Sequence, residues 1–78
     1  MKPGEYYMDE YFEPDTVVLK VTEIEAPGRH TGYKCKVVYT SDSHRLDMGE
    51  IVTRYKKDKE LIPVAMITID DKLMIIKL

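Results

Sequence analysis

The stretch from Val17 to Thr40 constrains the fold more than any other part of this chain. It reads VVLKVTEI, EAPGRHTG and YKCKVVYT: two runs rich in Val, Ile, Thr and Tyr around a loop that holds Pro27, Gly28 and Gly32. β-Branched and aromatic runs separated by Gly and Pro are the pattern of two paired strands. Successive strand side chains point to opposite faces, so Val17, Leu19 and Val21 share one face, as do Tyr33, Cys35, Val37 and Tyr39. Lys20, Thr22, Lys34 and Lys36 fall on the other side. Odd positions must stay opposite odd positions, because a slip of one residue would carry the lysines into the core. The simplest pairing sets Val21 opposite Val37, Thr22 opposite Lys36 and Lys20 opposite Val38. Glu23 and Glu25 then point inward with Cys35 and Tyr33, at the loop end of the core.

The remaining segments are laid on this hairpin. In the head, Gly4-Glu5-Tyr6-Tyr7-Met8 reads as a short first strand or an arm packed on the barrel edge. Asp9, Glu10, Glu13, Pro14 and Asp15 read as the loop into the hairpin, and Pro14 disfavours helix at Glu13. After a polar SDSH turn, Met48, Ile51, Val52 and Tyr55 follow helical spacing, and Asp47 with Glu50 resembles a capping box. Against helix stand Gly49 and the β-branched run Ile51-Val52-Thr53. The preferred reading is a strand over residues 50–55, with Ile51, Thr53 and Tyr55 on one face and Val52 and Arg54 on the other. The alternative is an α+β fold with a helix at about 47–60. Lys56 to Leu61 reads as a charged turn ended before Pro63. The tail VAMITIDDKLMIIKL reads as a second hairpin whose turn lacks glycine, so a type I turn with a bulge is expected there. Left unpaired, this tail would be a long apolar edge, so it is expected to be covered within the fold or by a second copy.

These segments make one domain over residues 1–78, an all-β, five- to six-stranded barrel with a C-terminal hairpin and no internal repeat. A chain of 78 residues lies near the lower limit for an unassisted core, and its single cysteine excludes an intrachain disulfide. The free thiol, the absence of an apolar leader in MKPGEYYMDEYFEPD and the shortness of the apolar runs predict a soluble cytoplasmic protein. The order of features resembles the small SH3-like (Tudor-like or KOW-like) barrels found in phages and mobile elements. It rests on Gly4-Glu5-Tyr6-Tyr7, VVLKVTEI, YKCKVVYT, the Gly-led Gly49-Glu50-Ile51-Val52 and LIPV, and covers about Lys2 to Val64. The resemblance implies a non-catalytic binding module, with a phage-type regulator or inhibitor of a host protein as one version. It assigns no role to any single residue, because such folds host many functions.

Catalytic chemistry has little to draw on. The one thiol, Cys35, lies on an apolar strand face and is expected to be buried, while His30 and His44 fall in turns. One cysteine and two separated histidines do not make a metal site, and no phosphate-cradling loop is present, so no cofactor is expected. Asp70-Asp71 is no acid pair, because adjacent turn residues point apart. Two surface features remain, and both follow from an uneven charge distribution. Residues 1–15 carry Glu5, Asp9, Glu10, Glu13 and Asp15 against Lys2 alone, while residues 16–40 carry Lys20, Arg29, Lys34 and Lys36 against Glu23 and Glu25. The first feature is the acidic aromatic head, with Tyr6, Tyr7, Glu10, Tyr11 and Phe12 as the expected protein-contact residues. Simple coverage of the barrel's open end by these rings is the competing reading. The second is the basic hairpin, where Arg29, Lys34 and Lys36, joined by Lys56, Lys57 and Lys59, would contact nucleic acid. Interleaved Glu23, Glu25, Asp58 and Glu60 make that surface mixed and favour the protein partner.

Overall fold

The computed structural model describes residues 1–25, 31–41, 46–55 and 60–78. Its elements are β1 (Tyr6–Asp9), a 3-10 turn η1 (Glu10–Phe12), β2 (Val17–Glu25), β3 (Gly32–Thr40), β4 (Ile51–Tyr55), β5 (Leu61–Ile69) and β6 (Lys72–Lys77). The six strands form one antiparallel sheet in the order β4-β3-β2-β1-β5-β6. The expected all-β, barrel-like architecture with a C-terminal hairpin is therefore observed, and the helical alternative fails over residues 47–55. β1 lies inside the sheet between β2 and β5, not at an edge. The preferred strand reading holds, and the capping-box-like pair that supported the helical alternative has a local explanation. Asp47 N–H does donate to the Glu50 carboxylate, at 3.0 Å, but Glu50 N–H donates to the Asp47 carbonyl at 3.1 Å and Gly49 has φ +86°. That is a type II turn, with glycine at the position that requires positive φ.

The same turn occurs at the other end of the body. Glu5 N–H donates to the Lys2 carbonyl at 3.1 Å, Gly4 has φ +92°, and the Glu5 carboxylate accepts from Lys2 N–H. Each turn docks on a buried valine in the same way. Gly4 N–H donates to Val21 O at 2.7 Å and Val21 N–H to Glu5 O at 2.9 Å; Gly49 N–H donates to Val37 O at 2.7 Å and Val37 N–H to Glu50 O at 2.9 Å. The correspondence extends through β1 to β4. Lys20 faces Lys36, and about that pair Leu19↔Val37 is the counterpart of Val21↔Cys35, and Val18↔Tyr39 of Glu23↔Lys34. Tyr6↔Lys20, Tyr7↔Leu19 and Met8↔Val18 likewise match Ile51↔Lys36, Val52↔Cys35 and Thr53↔Lys34. The body is a pseudo-two-fold unit, although the turn and outer strand precede the central strand in one half and follow it in the other, and no repeat is legible along the chain.

This symmetry includes two bulges, and they correct the expected hairpin register. Val21 faces Cys35, not Val37, and Lys20 faces Lys36, not Val38. Thr22 is the extra residue on β2 and Val38 the extra residue on β3. A bulge reverses which side chains point inward. Glu23 and Glu25 therefore turn outward, where both reach Lys34 Nζ, at 3.0 and 3.2 Å, instead of ending the core. Thr22 Oγ1 donates to Lys34 O at 3.1 Å across the bulge. Tyr39 likewise moves to the face of Val18 and Met8. Before the bulges the alternation holds: Leu19, Val21, Cys35 and Val37 are buried, and Lys34 and Lys36 point away from them.

The core holds Phe12, Val17, Leu19, Val21, Tyr33, Cys35, Val37 and Leu46, with Met1, Tyr7, Val52 and Leu61 packed against it. Val18 and Val64 are buried on the opposite face, where Met8 and Tyr6 pair with β2 and β5. β5 starts at Leu61 and runs through Pro63, which the sequence reading placed after a turn. Pro63 fits because its carbonyl faces β6, accepting from Leu78 N–H at 3.0 Å, so its missing donor costs the ladder to β1 nothing. Beyond Val64, β5 leaves β1 and continues with β6 as a two-stranded ribbon, in a molecule measuring 42 × 25 × 21 Å. Its turn is Asp70-Asp71, with φ +50° and +61°, between paired Ile69 and Lys72. Positive φ at both central residues defines a primed two-residue turn, not the bulged type I turn expected, and aspartate tolerates that conformation.

Candidate interaction surfaces

The predicted head residues do not form one surface. Phe12 is in the core. Tyr7 lies against it, and its hydroxyl donates to Glu5 Oε1 at 3.2 Å. Burial first, and then the Glu5 charge, raise the Tyr7 pKa. Tyr6 points to the opposite face, with Lys20 Nζ 5.8 Å from its ring centroid. Only Tyr11, 68 % exposed, stands out into solvent, with Glu10 beside it. The chain alternation separates Tyr6 from Tyr7, and the η1 turn separates Tyr11 from Phe12.

Asp9 organises this end of the barrel, in a role the sequence reading missed by assigning it to a loop. It is 3 % exposed. Its Oδ1 accepts from Tyr11 N–H at 3.1 Å, capping η1, and its Oδ2 accepts from Arg54 Nε at 2.8 Å. Arg54 also donates to the Thr53 carbonyl at 3.0 Å and lies 5.8 Å from the Phe12 ring centroid. Asp9 and Arg54 are equivalent under the pseudo-two-fold, so the ion pair joins the ends of β1 and β4 across the axis. A buried pair of this kind is a weak source of net stability. Removing one member, however, strands the other at a cost of about 3–5 kcal/mol. The inward phase of Arg54 with Val52 was legible, but its partner lies 45 positions away.

β4 does not pair with β5, so the barrel has a seam here. Where β4 approaches the end of β1 and η1, an open cleft of about 320 Å³ is lined, among the described residues, by Asp9, Tyr11, Thr53, Arg54, Tyr55 and Glu60. Tyr11 packs edge-on against Phe12, with centroids 5.2 Å apart and planes at 88°, so a core residue fixes the exposed ring. Tyr55, 45 % exposed, is the second aromatic wall. Glu10 N–H donates to Glu60 O at 2.9 Å, tying η1 to the start of β5. A hydrogen bond with Glu13, some burial and the Glu13 charge raise the Glu10 pKa, against an opposing effect of Lys77. Two tyrosine rings thus share one rim with Glu60, while the Arg54 charge is matched by Asp9 and Glu10 faces a neighbouring hollow with Glu13.

The basic surface is redistributed too. Lys34 is engaged by Glu23 and Glu25, which raise its pKa. Lys36 instead faces Lys20, in a shallow groove that also includes Tyr6 and Thr22. Arg29, His30, His44, Lys56, Lys57 and Lys59 lie outside the described residues. Cys35 is fully buried, as its strand face implied, and burial pushes its thiol up to about 11, the opposite of an activated nucleophile. Among the described residues, no group of three His, Cys, Asp or Glu side chains is placed to hold a metal ion. No helix among them is long and apolar enough to cross a membrane. In comparisons with known proteins, no family model matches the chain, and no curated protein or solved structure is significantly similar to it.

Proposed function

We propose that this protein is a non-catalytic protein-interaction module that holds a partner's basic segment in the cleft between β4 and η1. The carrying observation is the pair of exposed rings, Tyr11 and Tyr55, in one open cleft with Glu60 and the matched Asp9–Arg54 pair. Tyrosine offers a large contact area with few torsions to immobilise, and the Glu60 carboxylate beside the rings favours a lysine- or arginine-bearing partner. Cations also sit favourably over tyrosine faces. The side of β4 on which no described strand lies adds main-chain donors and acceptors for an extended segment. A regulator or inhibitor of a host protein, implied by the barrel resemblance, is one form of such a module.

The test is binding of an arginine- and lysine-rich peptide, followed through amide chemical shifts. Shifts are expected at residues 9–11, 53–55 and 60, with affinity reduced about tenfold or more by Tyr11→Ala or Glu60→Lys while the melting temperature holds. Peptide binding that ignores both substitutions would overturn the reading. A second reading uses the Lys20–Lys36 pair beside Tyr6, two like charges held opposite each other without an acidic partner among the described residues. Such a pair with an adjacent ring suits single-stranded nucleic acid. It requires affinity for an oligonucleotide that falls steeply with salt and is lost in Lys20→Glu/Lys36→Glu.

A further inference from the structure

The C-terminal ribbon ends in an open strand edge. Its turn pairs Ile69 with Lys72, and the alternation of an antiparallel ladder then aims the main-chain groups of Lys72, Met74, Ile76 and Leu78 at β5. Leu78 N–H indeed donates to Pro63 O. The N–H and C=O groups of Leu73, Ile75 and Lys77 consequently point away from the sheet, where no described strand lies. Exposed edges are ordinarily blunted by charge, proline or a bulge. β6 carries lysines only at its two ends, with Leu73-Met74-Ile75-Ile76 between them. Ile67, Ile69, Leu73, Met74, Ile76 and Leu78 are each 40–80 % exposed. Ile67, Ile69, Met74, Ile76 and Leu78 share one face of the ribbon, an apolar stripe of the size found as the largest patch on many monomers, and Leu73 lies on the other face.

We infer that β6 pairs with β6 of a second copy, antiparallel about a two-fold axis through Ile75, so that the two sheets join into one. The occupant is a second copy because the strand is complementary to itself under that operation. Ile75 meets Ile75, Leu73 meets Lys77, Met74 meets Ile76 and Lys72 meets Leu78. The three outward residues of one edge face the three of the other, and all their donors and acceptors are used. No lysine faces a lysine. A slip of one residue in either direction would oppose outward main-chain groups to inward ones, and in one direction it would also set Lys72 against Lys77 at both ends. The two-fold also sets Met74 of each copy beside Ile76 of the other on one face of the joined sheet, so the exposed apolar faces of the two ribbons become continuous. The seam at Tyr11 and Tyr55 belongs to the other end of the sheet, so this pairing stands independently of partner binding there.

Sedimentation equilibrium of the full chain from micromolar to millimolar concentration tests the pairing. The wild type is expected to approach twice the monomer mass. Ile75→Lys and Ile75→Glu should each be monomeric, because the axis sets like charges face to face, and an equimolar mixture should recover the dimer. Ile75→Cys supplies a readout that leaves the ribbon's charge unchanged: an added oxidant should cross-link it between copies, since paired strand positions lie within disulfide reach, while Ile69→Cys should stay uncross-linked. A wild type that stays monomeric throughout, a mixture that fails to associate, or equal cross-linking at positions 69 and 75 would each overturn the proposal.

Discussion

The β2–β3 and β5–β6 hairpins are built from similar residues and have opposite fates. Val17, Leu19, Val21, Cys35 and Val37 are at most 1 % exposed, whereas Ile67, Ile69, Leu73, Met74 and Ile76 are all at least 40 % exposed. The difference lies in their neighbours. β2 and β3 occupy the middle of the sheet, flanked by β1 and β4, and two bulges coil them round the core. β5 has β1 beside it only as far as Val64, and β6 has no described strand on its outer side. Hydrophobicity makes a strand pair worth burying. Topology decides whether anything is there to bury it.

The largest expected effect comes from trimming one side chain on each hairpin. Leu19→Ala should cost about 2–5 kcal/mol, because it leaves a cavity the close-packed body cannot refill. Ile69→Ala should cost well under about 1 kcal/mol in the same urea titration, because it removes a half-solvated side chain at the ribbon tip. Similar costs at both positions would erase the contrast between the hairpins.

A medium effect separates them by pH. The Cys35 thiol is raised from its reference value of 9.0 to about 11 in the folded state. The unfolded chain therefore releases this proton first. The contribution is fully present below about pH 9 and is lost as pH rises toward 11, by roughly 2–3 kcal/mol in all. Wild type minus Cys35→Ala, measured by urea midpoints across that range, isolates the slope from the tyrosines. A difference that does not vary with pH would contradict the dry interior of the β2–β3 hairpin.

The smallest effect lies in the ribbon turn. Asp70→Asn/Asp71→Gly should stabilise the chain by about 0.5–1 kcal/mol, since both positions hold positive φ and the new pair prefers that geometry. The gain should appear as faster closing and stronger amide protection of residues 66–75, with the body's protection unchanged. Protection gained equally throughout would mean that ribbon and body unfold as one cooperative unit.

Much of the body was legible because a period of two leaves a plain trace. The odd residues of β2 and β3, the outward lysines, the buried thiol and the strand at Ile51–Tyr55 all follow from alternation and β-branching. The bulges at Thr22 and Val38 left no such trace, since neither glycine nor proline marks them, and they sent Glu23, Glu25 and Tyr39 to unexpected faces. The candidate site was less legible. Tyr11 was singled out, but Tyr55, Glu60 and the Asp9–Arg54 pair join it only through the fold, and Glu10 lies outside the cleft.

The sequence by itself determined local quantities: which residues prefer extended backbone, which side chains alternate, and where Gly4 and Gly49 allow a reversal. Those depend on a residue and its immediate chain neighbours. Only the tertiary structure decided that two Gly-Glu turns are counterparts, that an aspartate and an arginine 45 positions apart share a buried hydrogen bond, and that one apolar hairpin is enclosed while the other stands open. Those outcomes depend on how far the sheet coils and which edges meet, and such closures are set by the summed geometry of all six strands rather than by any one of them.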